Sequence, residues 1–423
     1  MKKILFIANN RTMLSGMIFL IEQMQEKYGN TVIPILICES CYYETDKYKV
    51  INLSEEKQDE TLGTLDKPIT DFYNQESRKI RKQICRFFYN YRRMVKDDRK
   101  SKKILKTISP DALIVADDRM AGILQGFLKN AKSIPRIKVT IAEQTDYRKG
   151  FDLRYYNCEL ILTDKFWDLN RILLFVNKPW VRCINGECRV FYPLGYSLAG
   201  WAKGMISMHP WVSGAGKSTH VLAASEDERN MILEEAKKPV IVTGMVEDYY
   251  ILLKRNEKMK IVNELRTKYH VQHQIVIFSM PQLAEHNMVA WEIHKDNMRI
   301  LVQILNEIFG TVLVSLHPKS RLDDYSYLLE YGAFFLEERL KDVICGADIL
   351  VAVSGSSIWH WTKILSIGKV AIDISCLLGR IGDTEEIKEK ILKDALTFEE
   401  KVKQVNNNIK CVSVEIMSIV NIM

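Results

Sequence analysis

The sequence predicts an α/β protein with two doubly wound parallel-sheet domains. The chain has 423 residues, which is more than a single hydrophobic core usually serves. Short apolar strands alternate with longer helical stretches over residues 4–163, and the same alternation resumes over 239–374. This β-α-β order is typical of a parallel sheet covered by helices on both faces.

The first domain is predicted to span 1–245. Its first strand is an apolar run ended by Asn9 and Asn10, and the next helix has apolar residues at helical spacing. Residues 176–238 are predicted as an irregular insertion that contains a hairpin turned at Asn185-Gly186. The predicted strands are 4–8, 32–38, 112–116, 137–142, 160–163 and 239–243, and the predicted helices are 13–28, 75–107 and 120–132.

The second domain is predicted to span 246–400, and the tail 401–423 is a candidate to pack back on the first domain. Two such domains in series predict a cleft at the carboxyl ends of both sheets, where open α/β folds bind ligands. The predicted strands are 274–279, 311–316, 348–353 and 370–374, and the predicted helices are 258–269, 291–309, 340–345 and 358–367.

Composition narrows the class of protein. Hydrophobic residues make up 47% and charged residues 27% of the chain, as in ordinary globular proteins. The apolar run at the start is too short for a secretory signal, and nowhere do about eighteen apolar residues follow one another. The nine cysteines are scattered, which favours a reducing compartment over a disulfide framework. We therefore expect a cytoplasmic protein without a metal site or cofactor.

The net charge of +7 is concentrated in a basic run over residues 92–103. This run fits a solvated helix face, and it also fits a patch that contacts anionic lipid at the inner face of the membrane or a polyanionic glycan. No nucleic-acid recognition motif accompanies the run, so nucleic acid is not predicted as a partner.

A glycine-rich stretch, Gly214-Ala-Gly-Lys-Ser218-Thr, partly resembles a phosphate-binding P-loop. The full pattern requires a glycine at the position of Trp211, and no apolar strand leads into the loop. The sequence therefore does not predict an ATPase, and we interpret the stretch as a loop that is either flexible or in contact with the substrate.

Two stretches in the second domain are suited to hold phosphate. His317-Pro318-Lys319 ends an apolar strand, so the imidazole and the cation are expected at the carboxyl edge of the sheet. Ser354-Gly355-Ser356-Ser357 leads from a strand into a helix, where small residues and free N–H groups accept an anion. Ordinary helix capping by a serine is the alternative.

Carboxylates follow two strands of the first domain. Asp117 and Asp118 come after the strand over 112–116, and Glu143 comes after the strand over 137–142. A carboxylate at a sheet edge can accept a proton from a hydroxyl group. We expect Glu143 to be the catalytic base, with Asp118 and then Asp117 as the other candidates; loop solvation and capping are the alternatives.

These landmarks resemble, in their order over most of the chain, the GT-B superfamily of nucleotide-sugar enzymes. The non-hydrolysing UDP-N-acetylglucosamine 2-epimerases are similar at Asp117-Asp118, at Glu143, at Thr243-Gly244 and at the 354–357 loop. The chain departs from them at 280–287, where they carry His-Arg-x-x-Glu-Asn, and at 359–361, where they carry ribose-binding glutamates. We expect Pro281 and Gln282, in the first of these segments, to contact the nucleotide.

His317-Pro318 and Ser356-Ser357 together look like the paired HP and SS motifs of bacterial sialyltransferases and Kdo transferases. That resemblance implies that these residues hold the donor phosphate and that Glu337 or Glu338 reaches the ribose. It also implies a metal-independent transferase that moves sialic acid or Kdo from a CMP-linked donor to a surface glycan or lipid-linked glycan. A nucleotide-sugar 2-epimerase, a CDP-glycerol-type transferase and a non-enzymatic sugar- or lipid-binding regulator are the alternatives.

Overall fold

The computed structural model describes residues 1–53, 80–119, 122–141, 161–162, 168–184, 186–285, 288–317, 320–354, 356, 358–396 and 409–422. The chain divides into two compact units. The first unit comprises Met1–Glu247 and Asn408–Met423, and the second comprises Asp248–Asn407.

The first unit is built on a parallel sheet with the strand order β3-β2-β1-β4-β5-β8-β9 among the described residues. Strand β1 is buried along most of its length because Ile4, Leu5, Phe6 and Ile7 all lie inside, as expected for a central strand covered on both faces. The strands are β1 (Lys2–Ala8), β2 (Val32–Cys38), β3 (Lys49–Asn52), β4 (Ala112–Val115), β5 (Arg136–Val139), β6 (Val181–Ile184), β7 (Glu187–Val190), β8 (His220–Ala223) and β9 (Val240–Val242).

Helices cover this sheet. The Asn10 side chain caps the first helix by accepting a hydrogen bond from the Met13 amide at 2.9 Å. The long basic segment is a helix of 29 residues, which buries one stripe that includes Asn90 and Met94. The helices are α1 (Arg11–Tyr28), α2 (Ile80–Ile108), α3 (Ile123–Asn130), α4 (Leu173–Val176), α5 (Leu194–Lys203) and α6 (Glu226–Glu235).

The region predicted as an irregular insertion differs from the prediction in two ways. Strand β8 belongs to the main parallel sheet and α6 packs against β9, so the prediction is wrong for 220–235. Strand β8 directly follows the glycine-rich stretch, so its four residues were grouped with that loop. The hairpin β6–β7 forms as predicted, and Cys183 and Cys188 pair across it in a disulfide, against the prediction from the scattered cysteines.

The second unit contains a parallel sheet with the order β12-β11-β10-β13-β14 among the described residues. Two predicted helices have the observed bounds, whereas β12 and the helices α7, α10 and α13 were not predicted. The strands are β10 (Val276–Ser279), β11 (Val312–Ser315), β12 (Ala333–Phe335), β13 (Ile349–Val353) and β14 (Gly368–Ile372), and the helices are α7 (Asp248–Lys254), α8 (Lys258–Tyr269), α9 (Trp291–Phe309), α10 (Leu322–Tyr325), α11 (Leu340–Val343), α12 (Trp359–Leu365) and α13 (Thr384–Leu396).

The end of the chain returns to the first unit as helix α14 (Val412–Ile422). Val412, Ile416 and Val420 are buried in the same hydrophobic core as β1 and α1. The Lys410 amide also donates to the Thr243 carbonyl at 3.0 Å. The tail therefore completes the core of the unit in which the chain starts.

Candidate functional site

The carboxyl edge of the second sheet brings together three of the predicted donor-binding segments. In the order β12-β11-β10-β13-β14, the chain reverses its direction of winding between β10 and β13. Ligands of open α/β sheets bind at such a switch point. Gln282 follows β10, His317 follows β11, and Ser354 follows β13. Because neighbouring strands are about 4.8 Å apart, the strands that lead to His317 and Ser354 are separated by roughly 10 Å.

Each of these segments is held locally. Pro281 is buried, and the Gln282 amide lies 3.5 Å from the Ser320 hydroxyl. The His317 side chain is exposed, and its carbonyl accepts a hydrogen bond from the Ser320 amide at 2.8 Å. An exposed imidazole at this edge is accessible to a ligand. Lys319, which was predicted beside it, lies outside the described residues, as does Pro318.

The serine loop after β13 is also fixed by its backbone. The Ser354 amide donates to the Ile372 carbonyl at 2.7 Å, and its hydroxyl accepts from the Ile374 amide at 3.2 Å. The Ser356 amide donates to the Val353 carbonyl at 3.3 Å. Gly355 and Ser357 lie outside the described residues. The following helix, α12, has only seven residues, so it adds less dipole to this edge than the longer predicted helix would.

A buried hydrogen-bond network lies beneath the loop that follows β10. Glu285 Oε1 accepts hydrogen bonds from the hydroxyls of Ser320 at 2.8 Å and Tyr325 at 2.7 Å. The Tyr325 hydroxyl also lies 3.2 Å from His294 Nε2, and both of these residues are fully buried. Burial lowers the pKa of His294, while the nearby Glu285 opposes that shift. The network joins the ends of β10 and β11, and the sequence analysis did not identify it.

A histidine–carboxylate pair lies behind the serine loop. His360 Nε2 is 2.6 Å from Asp248 Oδ2, and the Asp248 carboxylate has no exposed surface. Asp248 begins α7 and His360 is the second residue of α12, so the pair ties these two helices together. The imidazole therefore anchors the helix that follows Ser354–Ser357.

Glu337 and Glu338 lie at the carboxyl end of β12, the outer strand of the sheet. Lys268 Nζ is 2.9 Å from Glu337 Oε2 and 2.6 Å from Glu338 Oε1. The Tyr269 hydroxyl donates to Glu338 Oε2 at 2.7 Å. Both carboxylates therefore already have partners two strands away from the switch point, and their contact with a ribose stays a prediction.

In the first unit, Asp117 is part of a buried ion pair. Arg119 Nη2 is 2.6 Å from Asp117 Oδ2, and its Nε donates to Oδ1 at 2.8 Å. Burial alone would raise the pKa of Asp117, but the guanidinium outweighs burial and lowers it. The other arm of Arg119 points to the carbonyls of Pro210 and Trp211. Asp117 is thus an ionised carboxylate that fixes the loop before β8.

Asp118 is fully buried in the glycine-rich loop that resembles a P-loop. The Gly214 amide donates to Oδ1 at 2.8 Å, and the amide and hydroxyl of Ser218 donate to Oδ2 at 3.2 and 2.5 Å. Lys238 Nζ lies 3.7 Å from Oδ2. The loop leads into strand β8 and holds a carboxylate of the same chain. The contacts with Asp118 account for the glycine and serine residues of this loop, so no ATPase function is needed to explain them. They also leave Asp118 no exposed surface for a substrate hydroxyl.

Glu143, the predicted base, lies outside the described residues. A carboxylate that the sequence analysis missed lies at the same edge of the first sheet. Glu39 follows β2, and its oxygens accept hydrogen bonds from Asn9 Nδ2 at 2.5 Å and from the Ile123 amide at 3.1 Å. Burial is the main cause that raises the pKa of Glu39 to about 7. The signal was present in the sequence, because Glu39 directly follows an apolar strand.

Two further findings concern the described residues only. They contain no group of three or more histidine, cysteine or acidic side chains placed to hold a metal ion. None of their helices combines the length and the apolar character needed to span a bilayer.

No protein-family model and no curated protein matches the chain. Solved structures are similar over the full length. The UDP-GlcNAc 2-epimerase of Neisseria meningitidis, bound to UDP-GlcNAc, has a TM-score of 0.55 and 14% identity, with all of both chains covered. The UDP-GlcNAc 2-epimerase of Methanocaldococcus jannaschii has a TM-score of 0.50 and 12% identity, also with all of both chains covered. S. aureus MnaA, solved with UDP, has a TM-score of 0.51 and 12% identity over 99% of this chain and 95% of its own.

At this identity the likeness concerns the fold. The two parallel-sheet units in series, and the match over whole chains, give this protein the GT-B fold predicted from its sequence.

Proposed function

We propose that the chain is an enzyme that binds a nucleotide-activated sugar at the carboxyl edge of its second sheet. The observation that carries this proposal is the meeting of three segments at the switch point of that sheet: Gln282 after β10, exposed His317 after β11, and Ser354–Ser356 after β13. Imidazole and hydroxyl groups at such an edge can donate hydrogen bonds to phosphate oxygens. The fold shared with structures solved with UDP-GlcNAc or UDP supports the same ligand class.

The reaction we propose is glycosyl transfer. The donor would be a CMP-linked acidic sugar such as sialic acid or Kdo, and the acceptor a glycan or lipid-linked glycan. The acceptor oxygen forms a bond to the anomeric carbon while the bond from that carbon to the phosphate oxygen breaks, and CMP leaves. The pairing of His317-Pro318 with Ser356-Ser357 supports this reading, since these groups could stabilise charge on the departing phosphate.

The proton of the acceptor hydroxyl must pass to a base. Glu143 stays our prediction for that role. Glu39 is a further candidate, because it lies at the carboxyl edge of the first sheet and burial raises its pKa to about 7, which suits proton exchange near neutral pH. Asp117 and Asp118 are instead assigned to holding the loop before β8, since both are buried among donors from that loop.

A nucleotide-sugar 2-epimerase is the second candidate. The observation in its favour is the fold that the chain shares over its whole length with two UDP-GlcNAc 2-epimerases, at TM-scores of 0.55 and 0.50. In this reading no acceptor is needed, and the product is the same nucleotide carrying an isomerised sugar.

Nucleotide binding tests the shared part of both candidates. A ligand that binds only the folded state raises the melting temperature, so CMP, CDP, UDP and GDP are compared by thermal shift. We expect one of them to stabilise the protein, CMP or CDP for the transferase and UDP for the epimerase. His317→Ala and Ser356→Ala should remove most of the shift.

His273→Ala is the matched control, because His273 is also exposed but precedes β10 at the opposite edge of the same sheet. Equal loss of the shift in His317→Ala and His273→Ala, or no shift with any nucleotide, would contradict the proposed site. The sugar conjugate of the stabilising nucleotide is then incubated with and without acceptor glycans. Conversion only with an acceptor indicates glycosyl transfer, and conversion without one indicates isomerisation.

A further inference from the structure

The charge of the protein is concentrated on helix α2. This helix carries eleven lysines and arginines and two aspartates, whereas the whole chain has a net charge of +7, so the rest of the chain is slightly acidic. The two acidic residues do not neutralise the helix surface. Asp98 is buried against α3, where Lys129 Nζ lies 3.0 Å and Asn130 Nδ2 lies 2.9 Å from its carboxylate, and Asp97 is half-buried.

Apart from Arg93, the basic side chains over residues 92–106 are exposed. The buried stripe of α2 includes Asn90, Met94 and Ser101, and a helix advances 100° per residue, so Arg92 and Lys103 lie on the opposite face. Arg92, Lys96, Arg99, Lys102 and Lys103 have no carboxylate of the described residues within ion-pair distance. Over the carboxyl-terminal half of the helix, this face therefore carries positive charge that no carboxylate of the described part of the chain pairs with.

The amino-terminal half of α2 instead exposes large apolar side chains. Ile84 and Phe88 lie one turn apart on the same side, and Phe88 and Tyr89 are 58% and 62% exposed. Isolated apolar residues on a surface are common, but several consecutive turns of them next to a basic stretch indicate a contact surface.

A second apolar protrusion lies beside this part of the helix. Helix α4 and the turn before it expose Ile172 and Phe175, and Phe175 is 89% exposed. A hydrogen bond of 3.3 Å from Gln83 Nε2 to Asn170 Oδ1 fixes the turn against the amino-terminal third of α2. Aromatic and aliphatic side chains from two separate elements therefore stand next to the same basic helix.

We propose that α2 and the 169–176 turn form a docking surface for a bilayer that contains anionic lipid. Lysine and arginine near such a surface are attracted to its negative potential, while phenylalanine, isoleucine and tyrosine enter the boundary between headgroups and acyl chains. Charge alone would fit a polyanionic glycan equally well. The apolar side chains favour lipid, because the acyl boundary of a bilayer removes more of their surface from water than a hydrated sugar polymer does. This inference is independent of the proposed function.

Vesicle sedimentation tests the surface. The full-length protein is incubated with vesicles of phosphatidylcholine alone or of phosphatidylcholine mixed with phosphatidylglycerol. We expect binding to the anionic vesicles that weakens with added salt. Phe88→Ser with Phe175→Ser should reduce the partition coefficient by about tenfold while leaving all charges in place. Arg92→Glu with Lys96→Glu should reduce it by more than about a hundredfold.

Matched controls lie in the second unit. Leu253→Ser with Met259→Ser removes two exposed apolar side chains elsewhere, and Lys258→Glu with Lys260→Glu reverses two other charges; both should bind vesicles like the parent protein. Melting temperatures establish that each variant is folded. The proposal is overturned if the parent protein does not bind anionic vesicles, or if Phe88→Ser with Phe175→Ser binds them as tightly as the parent protein does. Binding to heparin together with unchanged phenylalanine variants would assign the surface to a polyanionic glycan instead.

Discussion

The hydroxyl of Ser218 donates a hydrogen bond of 2.5 Å to the carboxylate of Asp118, a residue 100 positions earlier in the chain. Ser218 belongs to a glycine-rich stretch whose composition suits phosphate binding. In this fold the stretch surrounds a carboxylate of the protein itself, and a Cβ at Gly216 would lie 2.4 Å from the Asp118 carbonyl oxygen. The requirement for glycine here comes from the close approach of two backbone segments.

Asp118→Asn should destabilise the protein by about 3 kcal/mol, because Lys238 and the Ser218 donors would face an amide instead of a carboxylate in a buried site. Urea unfolding measures the change in the free energy of unfolding. Asp227→Asn, at an exposed position of the same unit, is the control and should change it by less than about 0.5 kcal/mol. Equal effects of the two substitutions would show that the loop does not depend on Asp118.

Glu39→Gln should become more stable relative to the parent protein as the pH rises from 5 to 8. The pKa of Glu39 is about 7 in the folded protein and about 4.3 when unfolded. The folded state therefore binds the extra proton in this window, and the parent protein loses stability as the pH rises through it. Glutamine has no proton to lose, so the stability difference should grow by at least about 1 kcal/mol.

The measurement is urea unfolding at pH 5, 6, 7 and 8. Glu26→Gln, on the exposed surface of α1, is the matched control and should follow the parent protein at every pH. A constant difference between Glu39→Gln and the parent protein across these values would mean that the carboxyl group titrates normally.

Tyr325→Phe should cost about 2 kcal/mol, because Glu285 loses a hydrogen bond of 2.7 Å and His294 Nε2 is left buried beside a phenyl ring. Tyr327→Phe makes the same change two residues later, where the hydroxyl donates only a 3.3 Å bond to the Lys295 carbonyl. We expect less than about 1 kcal/mol there. Thermal denaturation compares the two, and a smaller cost for Tyr325→Phe would rule out a structural role for the network.

Under the proposed function, Tyr325→Phe should also weaken nucleotide binding, since Glu285 belongs to the segment that follows β10 and carries Gln282. The shift in melting temperature with the best nucleotide should therefore fall in Tyr325→Phe and stay unchanged in Tyr327→Phe. An unchanged shift in both would separate the network from the ligand site.

The pair of Asp248 and His360 should show strong coupling. His360→Ala leaves the Asp248 carboxylate buried without its 2.6 Å partner, which we expect to cost about 3 kcal/mol. Adding Asp248→Ala should cost little more, because this substitution removes the buried carboxylate that His360→Ala left without its partner. A double-mutant cycle on the free energy of unfolding gives the coupling energy between the two residues. The exposed pair Lys260–Glu264 provides the control cycle, with coupling below about 0.5 kcal/mol. Additive effects of Asp248→Ala and His360→Ala would contradict the pairing.

Much of the fold was predictable because its signals are local. The helices α8 and α9 have the predicted bounds, 258–269 and 291–309, since their apolar residues recur at helical spacing over three or more turns. The strands β3 and β12 were missed because each lies at an edge of its sheet, where a strand carries less of the continuous apolar sequence typical of a buried parallel strand. Strand β8 was missed because it directly follows the glycine-rich stretch and was grouped with that loop. The ends of β4, β5 and β13 moved by one to three residues, as strand boundaries depend on the partner strand.

The candidate site divides in the same way. His317, Ser354 and Ser356 were identified because each follows an apolar strand, and any residue directly after a parallel strand lies at the carboxyl edge. Asp117 and Asp118 satisfied the same rule, yet both are enclosed by the loop before β8. Whether a residue at the carboxyl edge of a sheet is exposed depends on which distant segment of the chain covers that edge. The local sequence pattern does not predict this.

The amino-acid sequence by itself determined the α/β class, the alternation of strands and helices and the concentration of positive charge over 92–103, because these follow from spacing along the chain. Only the tertiary structure decided that the Ser218 hydroxyl donates a hydrogen bond to Asp118, that Cys183 pairs with Cys188 and that Phe175 protrudes beside a basic helix. These depend on contacts between segments far apart in the chain or on how a short turn is closed. Such contacts form only where the whole core brings the segments together.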